Sequence, residues 1–419
     1  MTQYGAWFSA GVAAFGLIAA LLVGGGGLAL AGILKNVLMF AYAGGADEAL
    51  ALVAVVALFN LAGFLIAQVG IRARDLWALP LPFIIAAANI LLVFAWGFTF
   101  GIAFAALGIL SGIAAARAWR AFRVNPVALK ELRGRMRGAR AFIVLGVYLA
   151  LMSAFALLIY LAFNAGSRFG SSVAGEIGRA LFLSVVAIEL LLILFIAPAL
   201  TSGAITGERE RQTYDLLRTT LLTPPTFVMG KLESALAYLL LLLFAAVPLQ
   251  SIAFLFGGVS EGEILLAFLI LVVTALALGA IGIFFSAAMQ RTVSANVRAY
   301  LLILGLMFFT PLVIGAILNV LSRALFTPGS AFALPLLETF VAYLSAIMTA
   351  INPVTAALTT QQALIERQTI GFYPYTLAST GGTIPMISPW ALFTAIYLTM
   401  AALLILWAIR RTKREELAG

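Results

Sequence analysis

Long apolar runs separated by short charged islands define the pattern of this chain. Runs over 48–70, 141–163, 180–202, 226–256, 264–288, 299–322 and 390–409 each supply the roughly 20 apolar residues that cross a hydrocarbon core about 30 Å thick. The run 77–116 is too long for one helix, and Gly97 with Gly101 marks a tight turn that splits it into two spans. The first 45 residues are apolar, with no Lys or Arg before Lys35. They read as a long first span, in which the glycines at 24–27 form a kink, a close packing surface or the turn of a hairpin. The stretch LALAG at 28–32 loosely resembles a signal-peptide cleavage site, but the basic segment that usually precedes one is missing. Four helices before Arg117 and six after it make an all-α polytopic membrane protein with about ten transmembrane helices. The strong alternation that a β-barrel needs is absent.

Composition agrees: 64% of residues are hydrophobic, 10% are charged, and the mean hydropathy is +1.13, far from soluble domains. Charge placement then sets orientation. Eighteen Lys and Arg residues fall in 117–140, in 207–231, at Arg291 and Arg298, and in the tail at Arg410, Arg411, Lys413 and Arg414. The opposite loops hold four, Arg168, Arg179, Arg323 and Arg367, beside Glu176, Glu261, Glu263, Glu338 and Glu366. The positive-inside bias puts the richer set in the cytoplasm. Residues 331–351 are apolar enough to cross, but crossing would carry the basic tail outside. They are expected to dip into the outer leaflet or lie on it, with Pro335 and Glu338 breaking a plain span.

Two islands carry the candidate chemistry. The first, 117–140, has eight basic residues and one acid, Glu131. Asn125-Pro126 is a helix start. Leu129, Leu132 and Met136 form an apolar stripe beside a basic stripe of Lys130, Arg133 and Arg137. This predicts a helix in the membrane interface, basic side toward anionic headgroups; an ordinary positive-inside loop is the plainer reading. The second island, Gly207 to Lys231, predicts a helix over 207–222. Glu208 and Gln212, and Arg211 and Asp215, stand four apart, and Tyr214, Leu217 and Leu221 form a narrow stripe. Pro224 and Pro225 stop it, and Thr223 is placed to cap the next helix, with Pro224 in its first position. A solvated loop with no partner is the alternative.

Within the spans, Glu189 is either a polar contact in a translocation path or a protonated or hydrogen-bonded helix contact. Pro198, Pro248 and Pro311 are kinks or tolerated irregularities, and Asn352-Pro353 reads as a turn. The chain has no Cys and no His, which excludes disulfides, thiol nucleophiles and His-based metal or acid–base sites. No phosphate-binding G-x-x-x-x-G-K-[ST] motif occurs, so any ATP must be hydrolysed on another chain. An ion-coupled secondary transporter and a polytopic lipid-modifying enzyme are the alternatives to an ATP-driven machine. The first needs more intramembrane ionisable groups, and the second needs clustered carboxylates or His at the interface.

The run from Pro198 to Leu232 resembles the signature of ABC-2-type transporter permeases. Its elements are Gly207-Glu208-Arg209-Glu210, Gln212-Thr213, Leu216-Leu217, Thr223-Pro224 and Gly230-Lys231-Leu232. Gln212 stands where the family more usually has Gly, a change that a helix tolerates. Asn125-Pro126 with Lys130-Glu131-Leu132-Arg133 is similar to the family's elbow helix. The resemblance covers about 120–415. Residues 1–116, N-terminal membrane helices of unassigned role, are not part of it; it implies a cytoplasmic elbow at 117–140 and a six-span core at 141–410. That core contains a coupling helix at 207–222 and an extracellular or re-entrant segment at 323–389, and a cytoplasmic basic tail follows at 411–419. It further implies the transport subunit of an exporter in a bacterial or archaeal cytoplasmic membrane, not itself an enzyme. Two copies of an ATPase subunit would bind ATP and Mg, and a second permease half, identical or related, would complete the pathway. Membrane lipids are the other expected contact, and no nucleic acid is expected. The ATPase-coupling residues by resemblance are Glu208, Arg209, Glu210, Arg211, Gln212, Thr213, Leu216 and Leu217.

Overall fold

The structure, a computed structural model, describes residues 2–24, 46–118, 124–137, 139–166, 171–218, 222–313, 315–317, 320, 335–367, 369, 371–377 and 383–418. In chain order its helices are α1 Thr2–Gly24, α2 Ala46–Ala73, α3 Leu81–Trp96, α4 Thr99–Arg117, α5 Pro126–Met136, α6 Ala139–Gly166 and α7 Ser171–Thr201. Two short helices follow, α8 Thr206–Glu210 and α9 Tyr214–Arg218, then α10 Pro224–Leu255, α11 Glu261–Ala288 and α12 Thr292–Leu304. The last are α13 Pro335–Ala350, α14 Pro353–Arg367 and α15 Pro389–Ala418, with strands β1 Phe372–Thr376 and β2 Thr383–Ile387 between α14 and α15. Among the described residues, nine helical runs are long and apolar enough to cross a membrane, or ten if the bent pair α13–α14 counts as one span. The chain is a multi-pass, all-α membrane protein, with one small hairpin among the described residues. The glycines after Gly24, the 28–32 stretch and Leu221 lie outside the described residues.

The chain forms two compact units. One comprises Met1–Arg123 and Leu304–Leu403, the other Val124–Ile303 and Leu404–Gly419. In the first, the predicted split of 77–116 falls at Gly97, which closes α3 with φ 66° and donates its N–H to the Val93 carbonyl at 2.8 Å. That left-handed geometry favours glycine. Gly101 serves differently: a Cβ there would meet a Val93 methyl at 2.7 Å, so α4 can pass α3 only without a side chain. Asn60 of α2 and Asn89 of α3 exchange two amide hydrogen bonds, of 3.1 and 2.7 Å, and each also donates to the carbonyl four residues back. Such pairs join helices where lipid offers no other polar partner. Phe8 of α1 meets Phe104 of α4 edge-on.

The 331–351 stretch does not continue as a straight span. Helices α13 and α14 meet at 117° across Asn352, where the sequence predicts a turn. Two proline effects converge here. Pro311 has no N–H to give the Met307 carbonyl four residues back, and the backbone before it opens into a π-helical turn, Gly305–Phe309. The buried Asn352 amide takes up that slack, donating to the Met307 carbonyl at 2.7 Å and to Leu306 at 3.2 Å. Its Oδ1 accepts from the N–H groups of Val354 and Thr355 and so caps α14.

The β1–β2 hairpin is a feature that the sequence reading does not include. Proline inside both strands argues against strand structure, yet Pro374 pairs with Pro385, so both missing donors fall at one rung. Both strands are edges, where proline is tolerated. Tyr343 of α13 donates its hydroxyl to the Pro385 carbonyl at 2.9 Å and packs with Leu377, Ile384 and Met386.

In the second unit, α7 packs on α6, α10 and α11. A Cβ at Gly282 of α11 would collide with Thr201 of α7, and one at Gly178 of α7 would collide with the Gly257 carbonyl, so glycine sets both crossings. The rings of Phe284 of α11 and Trp407 of α15 meet at a tilt, their centroids 4.4 Å apart.

Asn352→Ala should strip the partner from two buried carbonyls and uncap α14. The expected loss is roughly 2 kcal/mol in a denaturant or thermal unfolding assay. A loss below about 0.5 kcal/mol would show that the α13–α14 corner does not depend on this amide.

Candidate functional site

The expected helix over 207–222 is broken. α8 stops at Glu210, and Gln212 adopts φ 56°, the left-handed conformation, before α9 begins at Tyr214. The break has a local cause. The Thr213 N–H and hydroxyl turn back onto Glu208, the N–H reaching its carbonyl at 3.0 Å and the hydroxyl its carbonyl and carboxylate, which closes the end of α8 as a C-terminal glycine would. The position is therefore one where Gly is unstrained and Gln is not, contrary to the expectation that a helix absorbs Gln212. The pairs Glu208/Gln212 and Arg211/Asp215 do not share a helix face. Thr223 does precede Pro224 at the start of α10, but its hydroxyl meets the Thr226 hydroxyl at 2.9 Å rather than a backbone N–H.

Adjacent residues of a helix turn point about 100° apart, and α8 uses this to reach three neighbours. Glu208 accepts from the Lys231 ammonium of α10 at 2.7 Å. Arg209 donates to the Met289 carbonyl at 2.5 Å, just past the end of α11, and lies over the Tyr214 ring at 5.1 Å. Glu210 accepts from the Thr292 N–H at 2.7 Å and its hydroxyl at 2.9 Å, at the start of α12. The front of α8 is fastened too: Ser286 Oγ accepts from the N–H groups of Ile205 and Thr206 at 2.8 and 3.2 Å.

Lys231 is the hub. It is only 5% exposed, and its ammonium also donates to Glu131 of α5 at 2.6 Å. One residue earlier, a Cβ on Gly230 would lie 2.6 Å from Val127 and 2.7 Å from the side-chain oxygen of Asn125. Gly230 thus lets α5 cross α10 in contact, and Lys231 ties the crossing. Asn125 caps α5 by accepting from the Val127 N–H and donates its own amide to the Thr226 carbonyl at 2.9 Å. Arg135 points inward toward the Leu200 carbonyl. Between α5, α9 and α10 lies a cavity of about 170 Å³, with Val127, Leu217, Leu222 and Phe227 on its apolar walls and Lys130, Glu131, Glu208 and Lys231 as its charged lining.

Partial burial pushes the Glu208 carboxyl up, but hydrogen bonds from Lys231 and Thr213 and the charges of Lys231 and Lys130 outweigh it and hold it below the usual range. Hydrogen bonds from the Thr292 backbone and side chain hold Glu210 low as well.

The expected residues thus divide. Glu208, Arg209, Glu210 and Thr213 face the chain's own helices. Arg211, Gln212, Asp215 and Leu216 are exposed, Leu216 by 69%, and Leu217 lines the cavity. On α5, Lys130, Arg133 and Arg137 are exposed, as are Leu129 and Met136, whereas Leu132 is half-buried. Glu189 is buried and accepts from Gln250 at 2.7 Å. The sequence reading missed Lys231, Gly230 and Glu131 as site residues. Their signals were present: a lone acid in a basic helix, and a Gly-Lys pair opening an apolar span.

Lys231→Met should leave two carboxylates facing an apolar stem and destabilise the unit by roughly 3 kcal/mol. In the wild type, the contribution of Glu208 is complete above the ordinary carboxylate value of about 4.3 and is lost as pH falls through its lower native value. Unfolding midpoints measured across acid pH should therefore show a slope in the wild type that the variant lacks. Equal slopes would remove Lys231 from the centre of the site.

No curated protein matches the chain. A family model described as ABC-2 family transporter protein matches residues 125–417, which takes in α5, the α8–α9 segment and every later span. By that match over more than half its length, the chain belongs to the ABC-2 family of transporter proteins.

Proposed function

We propose that the chain is the membrane permease subunit of an ATP-binding cassette exporter, with the α8–α9 segment as the element that a separate ATPase subunit moves. The observation that carries this reading is the division of the segment. Its inner residues fasten it to α10, α11 and α12 and, through Lys231, to α5, and its outer residues, Arg211, Gln212, Asp215 and Leu216, stand exposed. An exposed leucine between charged residues, on a mount this firmly tied, suits a segment that receives force from a partner. Apolar anchors ringed by polar groups dominate binding at such contacts.

Two ATPase copies, binding ATP and Mg, would serve a pathway made by this chain and a second permease half, identical or related. The positive-inside bias supports a cytoplasmic location for α5, α8–α9 and the C-terminal tail, in the cytoplasmic membrane of a bacterium or archaeon. With Lys130, Arg133 and Arg137 exposed, α5 is suited to meet anionic headgroups. Closure of the ATPase on ATP would bias the membrane helices between two arrangements.

Leu216→Asp combined with Arg211→Glu should weaken capture of the partner ATPase subunit by at least about tenfold and abolish transport-stimulated ATP hydrolysis. The unfolding midpoint should stay unchanged, because both side chains are exposed. Undiminished capture and coupling in the double variant would contradict the assignment.

A further inference from the structure

Glu189 is fully buried near the middle of α7. Its Oε2 accepts from Gln250 Nε2 of α10 at 2.7 Å, and its Oε1 has no partner among the described residues. One turn away on both helices, Val185 and Ala246 pack with Leu242 and with Tyr148 and Met152 of α6 in a buried apolar cluster.

Among the described residues, no cation is paired with Glu189. On α7 the other charged residues are Glu176 and Arg179, about three turns away. On α10, Lys231 and Glu233 sit near the opposite end, with Lys231 bound to Glu131 and Glu208. On α11 the acids are Glu261 and Glu263 in its first turn, Glu263 closing a capping box with Ser260. On α6 the groups that ionise are Arg140 at its start, Tyr148 and Tyr160.

We propose that Glu189 is a proton-binding site: α7 packs on α10 with this carboxyl as the neutral acid, Oε2 accepting from Gln250 and Oε1 carrying the proton. A carboxylate enclosed by apolar walls with a single amide donor is far costlier than the acid. Separation of α7 from α10 hydrates the group and releases the proton, so the packing of these two helices is linked to pH. This rests on the membrane fold and not on any ATPase.

The test is infrared spectroscopy on the purified chain in lipid nanodiscs, wild type and Glu189→Gln, from about pH 5 to about pH 8, a range in which ordinary carboxylates are mostly ionised. The wild type should keep a carboxylic-acid C=O band at about pH 8 that the variant lacks; its absence from the wild type would overturn the proposal. Should Glu189→Gln fold poorly, Glu189→Asp assigns the band by its shift. Thermal midpoints give a second reading. A group protonated when folded and ionised when unfolded makes stability fall as pH rises, so the wild type should lose ground against Glu189→Gln over this range. Parallel profiles would also overturn it.

Discussion

A single buried ammonium organises the polar end of this protein. Lys231 lies between Glu131, 100 residues earlier, and Glu208, 23 residues earlier. A lysine withdrawn from water needs near-complete pairing, and it finds that only if α5 crosses α10 in contact and α8 folds back beside both. Gly230 supplies the contact by having no side chain. The next residues of α8 then fall into place, because each turn of 100° aims a new charge at a new neighbour. Arg209 closes the end of α11, and Glu210 caps the start of α12. The charged motif is an internal fastening, and the exposed residues of the segment lie just beyond it.

Deeper in the spans the same rule of satisfied polar groups holds with neutral partners. Asn60 and Asn89 bind each other, Asn352 serves carbonyls that Pro311 leaves open, and Gln250 serves Glu189. Each joins elements far apart in sequence. In a lipid-facing protein, where apolar surface alone does not choose one helix partner over another, such pairs supply specificity.

Much of this was legible in the sequence. Span length, the break at Gly97, the start at Asn125-Pro126 and the corner at Asn352-Pro353 follow from local chemistry and were found. The break at Gln212 was not, because its cause is a hydrogen-bond closure onto Glu208 that a glutamine does not advertise. The pairing of Lys231 with Glu131 is a contact across 100 residues, invisible to any periodicity. The hairpin was hidden by its own prolines, which become harmless only when placed opposite each other.

With Lys231 as their common partner, α5 and the α8–α9 segment are expected to move as one rigid body. Because the chain has no native Cys, one spin label each can be placed at the exposed positions Leu129 and Asp215, leaving Leu216 intact, and their separation measured by pulsed electron resonance in the complex with its ATPase. A rigid unit gives one narrow distance distribution, the same without nucleotide and with ATP bound. A distribution that shifts or splits when ATP binds would mean that the segment moves against the elbow, and would contradict it.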